Sequence, residues 1–255
     1  MVRSGKVYLV GAGPGDPELL TLKAVRVLGL ADVILVDDLV HPEVLGHAAA
    51  HARVVHVGKR GGCVSTPQAY IERLMVAEAR AGRTVVRLKG GDPYMFGRGG
   101  EEVATLAAAG IEVEVINGIT SGMAAATSAG IALTHRDHAH GVAFVTGHAA
   151  SGDGLDWSAL VRSELTLVIY MGVSRCAELQ QSLLDAGMVS DMPIVIVQNA
   201  SRGDERRLVS RLHALATDVR AHRVASPAIF IAGRAAALAA ERLCTTTYVA
   251  QCASS

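Results

Sequence analysis

Short β-branched runs alternate with helical segments along almost the whole chain, and nothing else in the sequence narrows the fold as much. Strand, helix and strand in succession favour parallel pairing with helices laid on the sheet faces, an α/β architecture. The runs expected as strands are Val7–Val10, Val33–Val36, Val54–Val57, Thr84–Leu88, Val113–Ile116, Val142–Thr146, Thr166–Met171, Ile194–Gln198 and Ala228–Ala232. The clearest helix is Pro67–Ala81, with Thr66 as cap, Pro67 in the first turn and Gly82 as its end. Its expected inner face carries Tyr70, Leu74 and Ala77. The texture changes near Asn117-Gly-Ile-Thr-Ser-Gly-Met123, which sets an expected boundary at Gly118 between domains 1–117 and 118–255. Beyond it the connections look less parallel, as in Arg206–Leu212 after Gln198, so a mixed sheet is expected there.

Composition excludes several partner classes. The formal net charge is zero, which argues against nucleic acid or a membrane surface held by a global positive field. No apolar run reaches the roughly 18 residues of a membrane helix. Cys63, Cys176, Cys244 and Cys252 form neither a CxxC pair nor a zinc-type cluster with histidine, so a reduced, cytoplasmic protein is expected. Lys6, Lys23, Lys59 and Lys89 are the only lysines among 24 basic residues, leaving arginine as the main cation. Arginine forks suit local pockets for acidic substrates.

Two glycine loops carry the chemical information. The first, Gly11-Ala-Gly-Pro-Gly-Asp-Pro17, follows a strand and opens a helix, as in dinucleotide-binding folds. Its spacing is GxGxG, however, and Asp16 stands where the third glycine of GxGxxG belongs. An aspartate at the cap position occupies the free amides that a pyrophosphate needs and repels its charge. That disfavours a nicotinamide- or flavin-dependent oxidoreductase. The second loop, Lys89-Gly-Gly-Asp-Pro93, repeats the design after another strand. Ligands of open α/β sheets gather at such strand ends, and glycine lets a ligand touch the backbone. A cationic or zwitterionic ligand without phosphate, such as S-adenosylmethionine, fits loops of this kind, with Asp92 as an acceptor.

Further segments extend the pattern: Val36-Asp-Asp-Leu-Val40, Val57-Gly-Lys-Arg60, Arg87-Leu-Lys-Gly-Gly-Asp-Pro93, Phe96-Gly-Arg-Gly-Gly-Glu-Glu102, Gly118-Ile-Thr-Ser121, Leu133-Thr-His-Arg-Asp137, Thr146-Gly-His148 and Tyr170-Met-Gly172. With them the chain resembles the uroporphyrinogen-III C-methyltransferases of the tetrapyrrole methylase superfamily, nearly end to end. The resemblance implies two α/β domains with the cofactor in the cleft between them, and a homodimer. It also implies two methyl transfers from S-adenosylmethionine to rings A and B of uroporphyrinogen III, yielding S-adenosylhomocysteine and precorrin-2 on the way to sirohaem or cobalamin, with no metal. Cofactor positions carry over to Pro14, Gly90, Gly91, Asp92, Met95, Thr120, Ser121, Met171, Ala200 and Ala228. The family's proton acceptor and donor correspond to Asp37 and Lys59.

Two departures stand out: Asn199-Ala-Ser201 replaces the usual Asn-Gly-Thr, and Asn117 replaces a proline. The dehydrogenase and chelatase module of fused sirohaem synthases has no counterpart, so the expected activity stops at methylation. Within the superfamily, a later corrin precursor is the alternative substrate. Arg60, Arg98 and Arg136 are the candidates for substrate carboxylates, with His135 and Asp137 able to fix Arg136. His135 and His148 receive no proton-transfer role.

Overall fold

The computed structural model describes residues 5–58, 66–147 and 154–237. The chain forms two compact units that divide between Ser121 and Gly122. The first contains β1 (Lys6–Gly11), α1 (Leu22–Leu28), β2 (Val33–Val36), β3 (Arg53–His56), α2 (Gln68–Arg80), β4 (Val85–Lys89), α3 (Gly99–Ala108) and β5 (Glu112–Ile116). Its sheet runs β3-β2-β4-β1-β5 with every pair parallel. All five carboxyl ends therefore meet one edge.

Because side chains alternate across a strand, each face builds its own core. Val10, Ile34 and Leu88 pack with Leu28 of α1 on one face, and Leu9, Leu35 and Val85 with Met75 of α2 and Leu106 of α3 on the other. β4 breaks the apolar rule with Arg87 and Lys89, both buried. Two residues apart, and two and four from Val85, they face the α2–α3 side.

Helix α2 differs from its expected form. Pro67 is the cap residue with no side-chain cap bond, so Thr66 lies one position too early. The buried face is Ile71, Met75, Glu78 and Ala79, while Tyr70 is 49% exposed. Glu78 can turn inward because Arg53 and Arg83 both pair with its carboxylate. Counting it as polar displaced the expected face by one residue.

The second unit follows the start of α4 (Ser121–Ser128) with β6 (Val142–Thr146), α5 (Trp157–Arg162), β7 (Thr166–Tyr170), α6 (Cys176–Asp185), β8 (Pro193–Gln198), β9 (Arg206–Arg211), α7 (Leu215–Ala221) and β10 (Ala228–Ala232). The sheet order is β6-β7-β10-β8-β9, and only β6 and β7 pair in parallel. The mixed sheet expected here is thus present. Since β10 opposes both β7 and β8, the carboxyl ends of those two strands share an edge with the start of β10. Phe230, Ile169, Leu183 and Ile196 centre the core.

Candidate active site

The two glycine loops of the first unit bond to each other. Gly13 N donates to Gly91 O at 3.2 Å and Gly91 N donates to Gly13 O at 2.7 Å, while Ala12 N donates to Lys89 O at 2.7 Å. Behind this bridge three backbones touch. A Cβ on Gly118 would lie 2.2 Å from Gly91 O, and one on Gly11 would lie 2.5 Å from Gly118 N. The expectation that these glycines admit a ligand to the backbone therefore needs correction: at Gly11 and Gly118 they admit another strand end. Gly91 differs. Its φ is +67°, and a Cβ there would meet only ordinary contacts, 3.8 Å from Ser121 N, Ser121 Oγ and Thr120 Cα. The notch bounded by Gly91, Thr120 and Ser121 is a cradle that any side chain would fill, which suits close approach by a ligand.

Both aspartates of the loops cap their own turns. Asp16 Oδ1 accepts from Glu18 N at 2.9 Å, and Asp92 Oδ1 accepts from Tyr94 N at 2.8 Å. Asp92 Oδ2 also accepts from Gly118 N at 3.1 Å and Asn117 Nδ2 at 3.3 Å. Much of the acceptor capacity foreseen for a ligand at Asp92 is thus spent on joining the β4 and β5 loops. Pro14, Gly90 and Met95 are half-buried nearby in sequence, with Met95 N donating to Asp92 O at 3.2 Å.

Asp37 follows β2 at the same sheet edge and is 28% exposed. Arg87 Nη2 donates to its Oδ1 at 2.5 Å, and Lys89 Nζ lies 3.9 Å from its Oδ2. Behind both cations sits Glu102, fully buried on α3. Its Oε1 accepts from Arg87 Nε at 2.9 Å, Lys89 Nζ at 3.2 Å and Gln68 Nε2 at 3.2 Å. Its Oε2 lies 3.1 Å from Lys89 Nζ as an ion-pair contact without hydrogen-bond geometry. Arg87 Nη1 completes the fork by donating to Leu35 O and Leu88 O. Two cations and two anions thus form one cluster, with Arg87, Lys89 and Glu102 buried and Asp37 at the sheet edge. Burial pushes the Lys89 amine below its ordinary value, and the Arg87 charge adds to that, against the opposing pull of Glu102 and Asp37. Sequence reading gave Arg87, Lys89 and Glu102 no role. The available signal was a pair of charges two apart inside an otherwise apolar strand.

In the second unit, Met171, Ala200 and Ala228 come to one edge of the mixed sheet, beyond β7, beyond β8 and at the start of β10. Ala200 and Ala228 are buried and Met171 is 49% exposed. Met171, Asn199 and Ser201 have φ of 56°, 55° and 63°, left-handed conformations that non-glycine residues adopt at a cost. Asn199 Nδ2 donates to Asp204 Oδ2 at 2.7 Å, Ser201 N donates to Glu205 Oε2 at 2.7 Å and Asn199 N donates to Pro227 O at 3.0 Å. These bonds hold the Asn-Ala-Ser turn without the usual glycine.

Lys59, Arg60 and His148 lie outside the described residues. Arg98 is exposed and forks onto Glu101 at 2.9 and 2.6 Å. Arg136 is exposed as well, and its neighbours do not fix it: Asp137 N donates to His135 Nδ1 at 3.1 Å instead.

Residues 6–216 match the family of tetrapyrrole (corrin/porphyrin) methylases. The chain is 56% identical over 230 residues to a uroporphyrinogen-III C-methyltransferase of Pseudomonas aeruginosa, covering 90% of this chain and 94% of that one. It is 50% identical to a sirohaem synthase of Chromobacterium violaceum over 93% of its own length, spanning 51% of that protein. Among solved structures, a uroporphyrin-III C-methyltransferase of Thermus thermophilus complexed with S-adenosylhomocysteine superposes with a TM-score of 0.79 at 45% identity, covering 92% of this chain and all of that one. Two α/β units, paired Asp-Pro glycine loops and likeness across nearly the whole length converge, and the chain belongs to the tetrapyrrole (corrin/porphyrin) methylase family.

Proposed function

We propose that this protein transfers methyl groups from S-adenosylmethionine to carbons of rings A and B of uroporphyrinogen III, giving precorrin-2 for sirohaem or cobalamin synthesis. The observation that carries this reading is the 56% identity, spread over almost the full length of both chains, with the Pseudomonas aeruginosa enzyme. A later corrin precursor is the less favoured substrate, because that level of identity is to an enzyme named for uroporphyrinogen III.

When bound, S-adenosylmethionine would supply a methyl group on a sulfonium, with the neutral thioether as leaving group. The Gly91, Thr120 and Ser121 notch would hold it, with Pro14, Gly90, Asp92 and Met95 as further contacts and Met171, Ala200 and Ala228 as those of the second unit. These groups contribute by orientation and by excluding water. After the macrocycle carbon takes the methyl group, a proton must leave, and Asp37 is the acceptor in this reading. Arg87 holds its Oδ1 and leaves Oδ2 facing a cation only at 3.9 Å. Lys59 would donate a proton or pair with a substrate carboxylate. Arg60, Arg98 and Arg136 would take further carboxylates; Arg98 would first release Glu101, an exposed and solvent-screened partner. A homodimer is part of the reading and is measured by light scattering. Among the described residues no helix is long and apolar enough to cross a membrane.

The test is direct. Purified protein with S-adenosylmethionine and uroporphyrinogen III should give a doubly methylated tetrapyrrole by mass spectrometry. No methylated product, or tight NADPH binding by calorimetry, would defeat the proposal. Asp37→Ala should keep cofactor affinity while turnover falls by about 10²- to 10⁴-fold.

A further inference from the structure

We infer that Glu102 is a positioning residue that holds Lys89 off Asp37, keeping one carboxylate oxygen of Asp37 available to the substrate. The inference rests on the reading of Asp37 as proton acceptor. Glu102 is fully buried in the first unit, and a buried carboxylate is retained at a considerable desolvation cost. Its partners show what that carboxylate does. Lys89 Nζ has two anions within reach, Glu102 at 3.1 and 3.2 Å and Asp37 at 3.9 Å. Glu102 has the shorter contacts, so the ammonium stays behind the sheet edge.

The lysine has little other freedom. Its side chain is 4% exposed, and its Cε would lie 3.3 Å from a Cβ on Gly97, so the Pro93–Gly99 turn closes over it. Among the described residues, the cluster is completed by Gln68 from α2, which donates to Glu102, and by Arg87 from β4, fixed by Glu102, Asp37 and two carbonyls, while exposed Glu101 of α3 acts on Lys89 only through longer-range attraction. Take away the Glu102 charge, and Asp37 is the one carboxylate left within 4 Å of Lys89 Nζ among the described residues. The ammonium then moves onto Oδ2 while Arg87 keeps Oδ1. Both oxygens are capped, and the carboxylate has no free face for a proton.

This geometry predicts suppression by a second substitution. Glu102→Gln should lower turnover with uroporphyrinogen III at least about tenfold, a part of the general-base factor. The dissociation constant of S-adenosylmethionine, measured by calorimetry, should stay within twofold. Adding Lys89→Met to Glu102→Gln removes the stranded cation and should restore most of the turnover. A purely structural role for Glu102 predicts the opposite, because the second substitution would compound the damage. The double variant deletes one charge of each sign, so it is the decisive measurement even where Glu102→Gln alone does not fold. A double variant no more active than the single one, or itself inactive, overturns the inference, as does unchanged turnover in Glu102→Gln. Asp37→Asn separates the two levels. Wild-type turnover in Asp37→Asn defeats the reading of Asp37 itself, whereas an inactive Asp37→Asn beside a fully active Glu102→Gln defeats only the role given to Glu102.

Discussion

The two sheets solve the same problem by different means. In the all-parallel first unit every strand delivers its carboxyl end to one edge, and that edge is crowded. Glycine at positions 11 and 118 lets those strand ends meet each other and the Gly91 backbone, and buried charges brace the strand beneath. In the mixed second unit only some strand ends share an edge, and there Gly147 and Gly172 let the turns after β6 and β7 approach. There the turns are bent by ordinary residues held in left-handed conformations, Met171, Asn199 and Ser201, over an apolar core. Glycine admits a second backbone at both edges, where an added Cβ would meet it at 2.2 Å in the first and 2.9 Å in the second, while left-handed ordinary residues, present after β4 as Phe96 and Arg98, are the commoner device in the second.

The sharpest way to break this contrast is to add one methyl group to each unit. Gly118→Ala places a Cβ against a carbonyl oxygen that cannot withdraw, and should cost about 3 kcal/mol, the upper range for overpacking. Gly203→Ala in the second unit meets nothing within 4 Å and should stay within about 0.5 kcal/mol of the wild type. Urea unfolding of both variants decides; equal effects would abolish the distinction between the two edges.

A smaller effect, of opposite sign, concerns helix ends. Helices α2 and α3 of the first unit both end with a left-handed glycine, Gly82 and Gly110. Helix α7 of the second unit instead ends with Arg223 at φ 50°, while Val224 N bonds Val219 O at 2.9 Å and Arg223 N bonds Arg220 O at 3.1 Å, the paired bonds of a Schellman turn. Arg223→Gly should therefore stabilise the protein by about 1 kcal/mol. A stability loss on thermal melting would show that the strained residue is needed for something besides the turn.

The smallest effect lies at the outer strand of the first unit. Glu114 is held down to about 2 by Lys23 and then Lys6. Because its folded value is depressed, its contribution is complete above the ordinary carboxyl value of 4.5 and is lost as the pH falls towards 2. Glu114→Gln should therefore melt below the wild type at neutral pH and converge with it near pH 2. High salt should shrink the gap, because the group is near the surface.

Much of the fold was legible because its signals are local. Every expected strand formed within one or two residues, and the capping of Asp16 followed from its place before Pro17. What escaped was tertiary. Nothing in the spacing of Gly11, Gly91 and Gly118 says that they touch, since each belongs to a different strand end. The inner face of α2 was misjudged because burial of Glu78 depends on Arg53 and Arg83, which come from other elements. The charge cluster stayed hidden for the same reason. Arg87 and Lys89 lie on one face of β4 by simple alternation, but only packing of α3 brings Glu102 between them. Asp37, by contrast, entered through the family resemblance, and only its place after β2 follows from the strand order.

The paired hydrogen bonds between Gly13 and Gly91 have a thermodynamic consequence. Each loop is ordered by the other as the sheet forms, so its loss of backbone entropy, about 1–2 kcal/mol per residue, falls within folding. A ligand arriving at this edge meets turns that are already fixed, and its affinity is not reduced by having to order them.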